Sequence, residues 1–433
     1  MTTRLSPIVL AALFAAAVAV SFVLSGMIDQ SLFSMADQSQ DVWFDSDTRI
    51  VAMNMTIREY HHWTLYKHPL FSLITWPLTS LARLFVGDAM TAVRVVQASN
   101  AGFAVVLLFT LLGRIGLGLL DRSLICLLFL VSGTMLFWYT VPETFTFGGT
   151  TLLIALHATI SGRPQTRLGY LGLGLASLAS LSMTITNWFA GLLATAIVYG
   201  LLDHPIALLK RWLSDFRTIW SDIKVPVLIS VAVLVTAMAL ALLQDFIFGE
   251  ASLFFNVFYI WKEGEFIGDY KVSSMILRPF VLLFSPVVVG TIDTWLNGTR
   301  MTADDFVPSN WPGILALGLW ILLLVSGTIS SVAALLKPTD ANVSLRRLIF
   351  ASAIILAAFI FIHTVYGFVA FLYLAHTAPY VLTIAAIGFL GKFRNVARIV
   401  ITTLIVLAGY NNYQAFLQAA AFVRDTLPDL PLP

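Results

Sequence analysis

Charge is what this chain has least of. Only 11% of its 433 residues are Asp, Glu, Lys or Arg, against 59% apolar, whereas soluble domains carry roughly a quarter charged residues. An ordinary water-solvated domain is therefore excluded. The net charge of +2 leaves no broad basic footprint of the kind that nucleic acid requires, so no nucleic-acid partner is expected. Cysteine is reduced to Cys126, inside an apolar run, which rules out an internal disulfide. Internal repeats and low-complexity linkers are missing too, so residues 1–433 are expected to form one domain. Ionisable side chains are scarce within the apolar runs, His157 being the main exception. An ion-coupled transporter keeps such groups facing its pathway, so this scarcity speaks against transport.

What is present is apolar length. Runs fall near 7–28, 92–113, 123–141, 144–160, 168–186, 188–202, 225–247, 312–336, 347–366, 369–390 and 399–418. A spanning helix needs about 20 such residues, and the pattern predicts an all-α integral membrane protein of about eleven spans. The first run follows Arg4 and exceeds the roughly 7–15 apolar residues of a cleaved signal. It is expected to stay as the first helix, with a cytoplasmic N-terminus. Two further runs, 68–87 and 276–292, contain proline, and treating either as a span inverts everything after it.

Basic residues choose between these topologies, because short cytoplasmic loops are enriched in Lys and Arg. With both runs outside the membrane core, Arg114, Arg122, Arg163, Arg167, Lys210, Arg211, Arg217, Lys224, Lys337, Arg346, Arg347, Lys392, Arg394 and Arg398 all face the cytoplasm. The opposite short connections, around Pro142, Asn187 and Gly367, hold none. Residues 29–91 then form a first outer loop with interfacial helices, and 245–311 a long outer loop. Within 203–224, Leu209, Trp212, Leu213, Phe216, Ile219, Trp220 and Ile223 recur at helical spacing opposite charged residues. That pattern predicts one amphipathic helix lying on the cytoplasmic leaflet.

This topology gathers the reactive side chains outside. The first loop carries Asp29, Asp37, Asp41, Asp45, Asp47, Glu59, His61, His62 and His68; Glu143, His363 and His376 lie at outer helix ends, and only His157 and His204 fall inward. In an extended segment Asp45 and Asp47 project to one side, where they can share a cation or a hydroxyl. If a helix starts there instead, Asp45 or Ser46 is its N-cap. The adjacent His61 and His62 diverge on a helix and make a poor metal pair; solvated interfacial imidazoles are the plainer reading. Lys67 and His68 precede Pro69, which suits the first position of a helix. Two cations beside open amides there suit a phosphate, although a snorkelling lysine fits equally. Glu143 after Pro142 serves either as a cap or as a site carboxylate. The sequons at Asn54, Asn297 and Asn342 are read as chance.

Taken together, the first helix, the acidic loop with Asp45 and Asp47, and Lys67-His68-Pro69-Leu70 resemble the GT-C-fold glycosyltransferases. Pro142-Glu143 and Leu372-Tyr373-Leu374-Ala375-His376 with Pro379 are similar to outer-face elements of bacterial members; Leu70 stands where several families have a second proline. The resemblance implies an enzyme of the bacterial inner membrane. It would move a sugar, with inversion, from a polyprenyl-phosphate donor to a lipid, polysaccharide or protein acceptor on the periplasmic face. It implies Asp47 as base with Asp45 second, and Lys67, His68, His376 and Arg278 for the donor phosphate. Glu143, Asn187 and Tyr366 would hold the sugar, and a divalent cation (Mg or Mn), if used, would sit on Asp45 and Asp47. The alternative is a lipid-linked-sugar flippase or another membrane transporter.

Overall fold

The computed structural model describes residues 2–29, 31–34, 42–202, 205–215, 217–249, 251–262, 264, 267, 272–295, 300–337, 343–367 and 369–426. Asp37, Asp41, His204, Phe216, Asn297 and Asn342 lie outside them. The chain is helical from α1 (Thr2–Ser25) and a short α2 (Ser31–Ser34) through α3 (Thr48–Thr56), α4 (Phe71–Val86), α5 (Ala89–Arg114) and α6 (Leu119–Leu130). There follow α7 (Thr144–Thr159), α8 (Arg167–Met183), α9 (Trp188–Val198), α10 (Pro205–Ser214) and α11 (Arg217–Phe248). The last third holds α12 (Val257–Lys262), α13 (Val272–Phe284), α14 (Trp311–Leu336), α15 (Val343–Val365), α16 (Leu374–Ile387) and α17 (Arg394–Thr426). The β-structure among the described residues is a small antiparallel pair, β1 (Asp293–Trp295) with β2 (Arg300–Thr302), and an isolated bridge between Ile267 and Tyr366. One buried cluster runs from Leu13 to Val423.

Among the described residues, six segments are long and apolar enough to cross a membrane: Ser6–Ser25, Ala89–Arg114, Arg217–Phe248, Trp311–Leu336, Val343–Val365 and Ala370–Leu390. The helical architecture is thus that of a membrane protein. The run near 68–87 becomes α4, whose 16 residues reach about 24 Å at 1.5 Å each, short of the roughly 30 Å hydrocarbon core. It buries Phe71, Ser72, Thr75 and Thr79 and exposes Leu78, Leu81, Leu84 and Phe85.

Three expectations need correction. The run 123–141 is not one helix: α6 stops at Leu130 and a π turn, Thr134–Trp138, follows. The stretch 276–292 is peripheral only in part, with Ile276, Leu277 and Phe280 exposed. Beyond α13, residues 285–290 are buried, and the amides of Gly133 and Thr134 donate to the carbonyls of Val287 (3.4 Å) and Pro286 (3.2 Å). Asn412 Nδ2 donates to Val131 O (2.8 Å) and Val287 O (2.7 Å), its Oδ1 accepts from Val289 N (2.9 Å), and Asn411 Nδ2 donates to Val289 O (2.8 Å). Non-helical backbone is tolerated inside a membrane protein when protein partners satisfy it, and two asparagines on α17 do so. Finally, 203–224 is not one surface helix. It folds into α10 and the start of α11, held by an Arg211–Asp222 ion pair and by Trp212 Nε1 donating to Asp222 (3.0 Å).

The helices divide the charges between two ends. At one end Arg114 contacts His157 and Ser161, Arg347 donates to Ser161 O, Arg122 donates to Ser6 Oγ, and Arg394 and Arg398 clasp the buried Asp121. Helix α7 ends there and starts, at Glu143, on the other side of the molecule. The acidic loop lies on that far side.

Candidate functional site

The far end is built around an aromatic wedge. Trp43 and Phe44 are fully buried, and Trp43 Nε1 donates to Phe137 O (3.1 Å). Phe44 packs on Phe137, Trp138 and Phe371 with ring centroids 4.8–6.2 Å apart. Driving these rings inward puts Phe44 and Asp45 at φ of 51° and 63°, a left-handed backbone unusual for residues other than glycine. Such strain costs about 1–3 kcal/mol per residue and persists where packing overdetermines it. The turn fixes Asp45 beside Arg300 of β2 (3.7 Å), a hairpin tied down by Met301 N donating to Val42 O (3.3 Å). Burial raises the Asp45 carboxyl to about 6, with Arg300 and Lys67 pulling down and Asp47 pushing up.

Asp47, not Asp45 or Ser46, occupies the cap position of α3, yet its carboxylate makes no capping hydrogen bond. Ser46 Oγ is spent on Trp43 O (2.6 Å). A divalent cation on Asp45 and Asp47 would have to compete with Arg300. Among the described residues no group of three or more His, Cys, Asp or Glu comes together to hold a metal.

The segment Lys67-His68-Pro69-Leu70 corrects the phosphate reading. Helix α4 begins at Phe71 with Leu70 as cap, so Pro69 lies before the helix. The nearby amides are used: Leu70 N donates to Ser182 O (2.8 Å), Phe71 N to His68 O (3.1 Å) and Leu73 N to Gln244 Oε1 (3.0 Å). His68 is buried, and desolvation pushes its imidazole down to about 3. It is a neutral ring and not a cation. Its Nδ1 donates to Met183 O (2.7 Å), and its Nε2 lies 3.2 Å from Thr144 Oγ1. Lys67 lies within electrostatic reach of both Asp45 and His68.

Glu143 caps α7: its Oε1 accepts from Thr144 N (2.7 Å) and lies 2.9 Å from Thr144 Oγ1. Burial, reinforced by the Asp47 charge, raises it to about 8. Phe145 stands between the imidazoles of His68 (5.6 Å) and His376 (5.0 Å). His376 Nε2 lies 3.4 Å from Asn187 Nδ2, and its Nδ1 lies 3.4 Å from His363 Nε2. Glycine permits this approach. A Cβ on Gly148 would sit 2.8 Å from Asn187 Nδ2 and 2.9 Å from His376 Nε2.

The structure therefore joins Asp45, Asp47, Lys67, His68, Glu143, Asn187 and His376 into one continuous group. Tyr366 and Arg278 stand at its flank. Tyr366 lies 6.5 Å from Tyr373, which stacks on His363 at 3.8 Å. Arg278 is buried, donates to Thr364 O (3.2 Å) and faces Asp304. Cavities of about 340 and 440 Å³, lined by Arg114 and His157 and by Arg163, Arg211 and Asp222, lie at the other end. Two members of the site were not singled out from sequence. Arg300 was detectable through Asn297-Gly298, a hairpin signature that places its flanking residues opposite each other. Thr144 was hidden as an ordinary residue after a capping glutamate. No protein-family model and no curated protein matches the chain.

Proposed function

We propose that this chain is a GT-C-type glycosyltransferase of the bacterial inner membrane. In this reading it has about eleven spans, a cytoplasmic N-terminus and an outward-facing acidic end. One observation supports this most. Carboxylates, a lysine and histidines from the first loop, the start of α7 and the start of α16 converge at the end opposite the basic loops. A lipid-phosphate sugar laid there from the outer leaflet meets a carboxylate for the acceptor and cations for the departing phosphate.

Asp47 acts as base. It takes the acceptor's proton as the new bond to the anomeric carbon forms, and the bond to the lipid phosphate breaks on the opposite face with inversion. The negative charge gathering on the phosphate is stabilised by Lys67 and Arg300; the neutral His68 positions and does not neutralise. Asn187, with its Oδ1 unpartnered among the described residues, takes a sugar hydroxyl. The acceptor is a lipid, a polysaccharide or a protein.

Asp47→Asn is expected to abolish transfer, a loss of about 10²–10⁴-fold for a general base, with expression and membrane insertion unchanged. The assay is mass spectrometry of surface glycans and glycoproteins in a deletion strain complemented with each variant. Full complementation by Asp47→Asn removes Asp47 as base. An unchanged glycan profile in the deletion strain itself removes the transferase reading.

A further inference from the structure

At the basic end a cavity of about 340 Å³ lies where α5, α7 and α9 finish and α8 begins. Helices α7 and α8 pack on each other across the short turn between them, so the lining residues sort by depth. Ser161, Gly162 and Pro164 line the cavity at the turn, and Ile154, Leu173 and Ala176 line it farthest in. From Gly169 to Ala176 the α8 wall descends about 10 Å at 1.5 Å per residue. The cavity is therefore polar at its rim and apolar within. Glycine makes the room. Gly169, Gly172 and Ala176 recur at helical spacing along the wall, and a Cβ on Gly172 would meet nothing within 4 Å. Gly172 is exposed between the exposed Leu171 and Leu175, so the cavity opens sideways on an apolar face.

Positive charge at the rim is uncompensated. Arg114 Nη1 donates to His157 Nδ1 (3.2 Å) and His157 O (3.3 Å), and its Nη2 donates to Ser161 Oγ (3.4 Å). These partners are neutral. His157 Nε2 lies 2.9 Å from Leu107 O, which can only accept, so Nε2 carries the hydrogen. Thr110 Oγ1, 3.2 Å from Nε2, gives its own hydrogen to Val106 O (2.8 Å). Nδ1 faces a guanidinium that can only donate, so it is a bare lone pair. Ser161 Oγ donates to His157 O (3.0 Å) and is left to accept from Arg114. Around the same turn Arg347 Nη1 donates to Ser161 O (3.1 Å), and Arg163 lies over the Tyr199 ring at 4.9 Å. Asp121 is held by Arg394 and Arg398, and Asp222 by Arg211. No carboxylate among the described residues pairs with Arg114, Arg163 or Arg347.

We propose that this cavity binds an anionic phospholipid from the leaflet at the basic end, with its phosphodiester on Arg114 and an acyl chain running past Gly172 toward Ala176. The inference is independent of the transferase reading. Three features select the ligand. Among the described residues, Nε and one hydrogen of Arg114 Nη2 make no hydrogen bond, which leaves donors for phosphate oxygens in the geometry that guanidinium favours. The neutral His157 fixes that guanidinium and is a positioning residue. Next, the apolar depth takes hydrocarbon, which a free phosphate does not bring. Last, a zwitterionic headgroup carries its own cation into a rim already crowded with arginine, whereas phosphatidylglycerol or cardiolipin brings negative charge alone. Basic pockets between helices on the cytoplasmic side of membrane proteins take such headgroups.

Native mass spectrometry of the full-length protein tests this, with dioleoyl phosphatidylglycerol, dioleoyl phosphatidylethanolamine and inorganic phosphate titrated separately. Wild type is expected to hold phosphatidylglycerol at lower concentration than phosphatidylethanolamine. Arg114→Gln is expected to weaken phosphatidylglycerol about fivefold, the worth of one basic side chain at an anionic surface, and to leave phosphatidylethanolamine unchanged. Arg114→Lys is expected to recover most of that loss. Gly172→Leu puts a side chain into open space and favours the helix, so it is expected to melt no lower than wild type in detergent alone. It should weaken both lipids about tenfold, the worth of roughly two buried methylene groups. This second variant carries the test if Arg114→Gln does not fold. Equal affinity of wild type for the two lipids overturns the proposal, as does unchanged phosphatidylglycerol binding in Gly172→Leu. Displacement of phosphatidylglycerol by inorganic phosphate that binds equally to wild type and Gly172→Leu makes the cavity a site for a free anion, and overturns the lipid.

Discussion

At the scale of single residues, burial sets the chemistry more than residue type does. Lys67-His68 reads as a pair of cations, yet only the lysine can carry charge, because the ring beside it is enclosed on all sides and tied to Met183 O. Asp45 shows the converse. It keeps a cation, Arg300, at 3.7 Å, but burial still raises its carboxyl to about 6. Arg300→Gln removes the largest influence holding that value down, so the carboxyl should titrate at higher pH. Transfer is expected to fall at every pH, because Arg300 also stabilises the departing phosphate, and to fall further at pH 6 than at pH 8. The sign for stability follows. A carboxyl raised in the folded state favours folding below its ordinary range and loses that advantage as pH rises through the folded value. Arg300→Gln should therefore melt lower than wild type at pH 8 and alike below pH 4. Equal melting temperatures at pH 8 would show that the 3.7 Å pair contributes nothing measurable, as is common for partly exposed pairs.

At the scale of elements, apolar length was legible in the sequence and continuity was not. The runs that became α1, α5, α14 and α15 stand out because each is one unbroken apolar helix. The run 123–141 is equally apolar but breaks after Leu130, since Gly133 and Thr134 pair with the extended segment after α13. That pairing depends on Asn411 and Asn412, more than a hundred residues away in sequence, and no local pattern announces it. The candidate site stands out in the sequence for a related reason. Asp45, Asp47, Lys67, His68 and Glu143 are conspicuous because charged groups are so few, while Arg300 and Thr144 matter only through their partners. The approach of α7 to α16 depends on two glycines. A Cβ on Gly149 would collide with the Ala375 carbonyl, whereas one on Gly148 would meet only the side chains of Asn187 and His376. Gly149→Ala is expected to destabilise by about 1–3 kcal/mol, as overpacking does. Gly148→Ala should leave the melting temperature closer to wild type and reduce transfer by displacing His376. Thermal melts and transfer assays on both variants separate packing from site geometry; the opposite ranking in stability would contradict this account of the interface.

At the scale of the whole molecule, the reading turns on which end faces out. The two ends differ in kind. One joins Arg114, Arg122, Arg347, Arg394 and Arg398 to the loops between helices, and the other holds the carboxylates and buried imidazoles. Short cytoplasmic loops collect arginine and lysine, so the basic end should lie in the cytosol and the acidic end against the outer headgroups. The chain suits a direct measurement, because its one native thiol, Cys126, is fully buried and stays silent. Glu59 is exposed at the acidic end and Gln165 at the basic end. A membrane-impermeant maleimide applied to cells with a permeabilised outer membrane and an intact inner one should label Glu59→Cys and spare Gln165→Cys, and disrupting the inner membrane should expose the second. The reverse order would turn the acidic group toward the cytosol. Lipid-phosphate sugars presented on the outer leaflet would then be out of its reach.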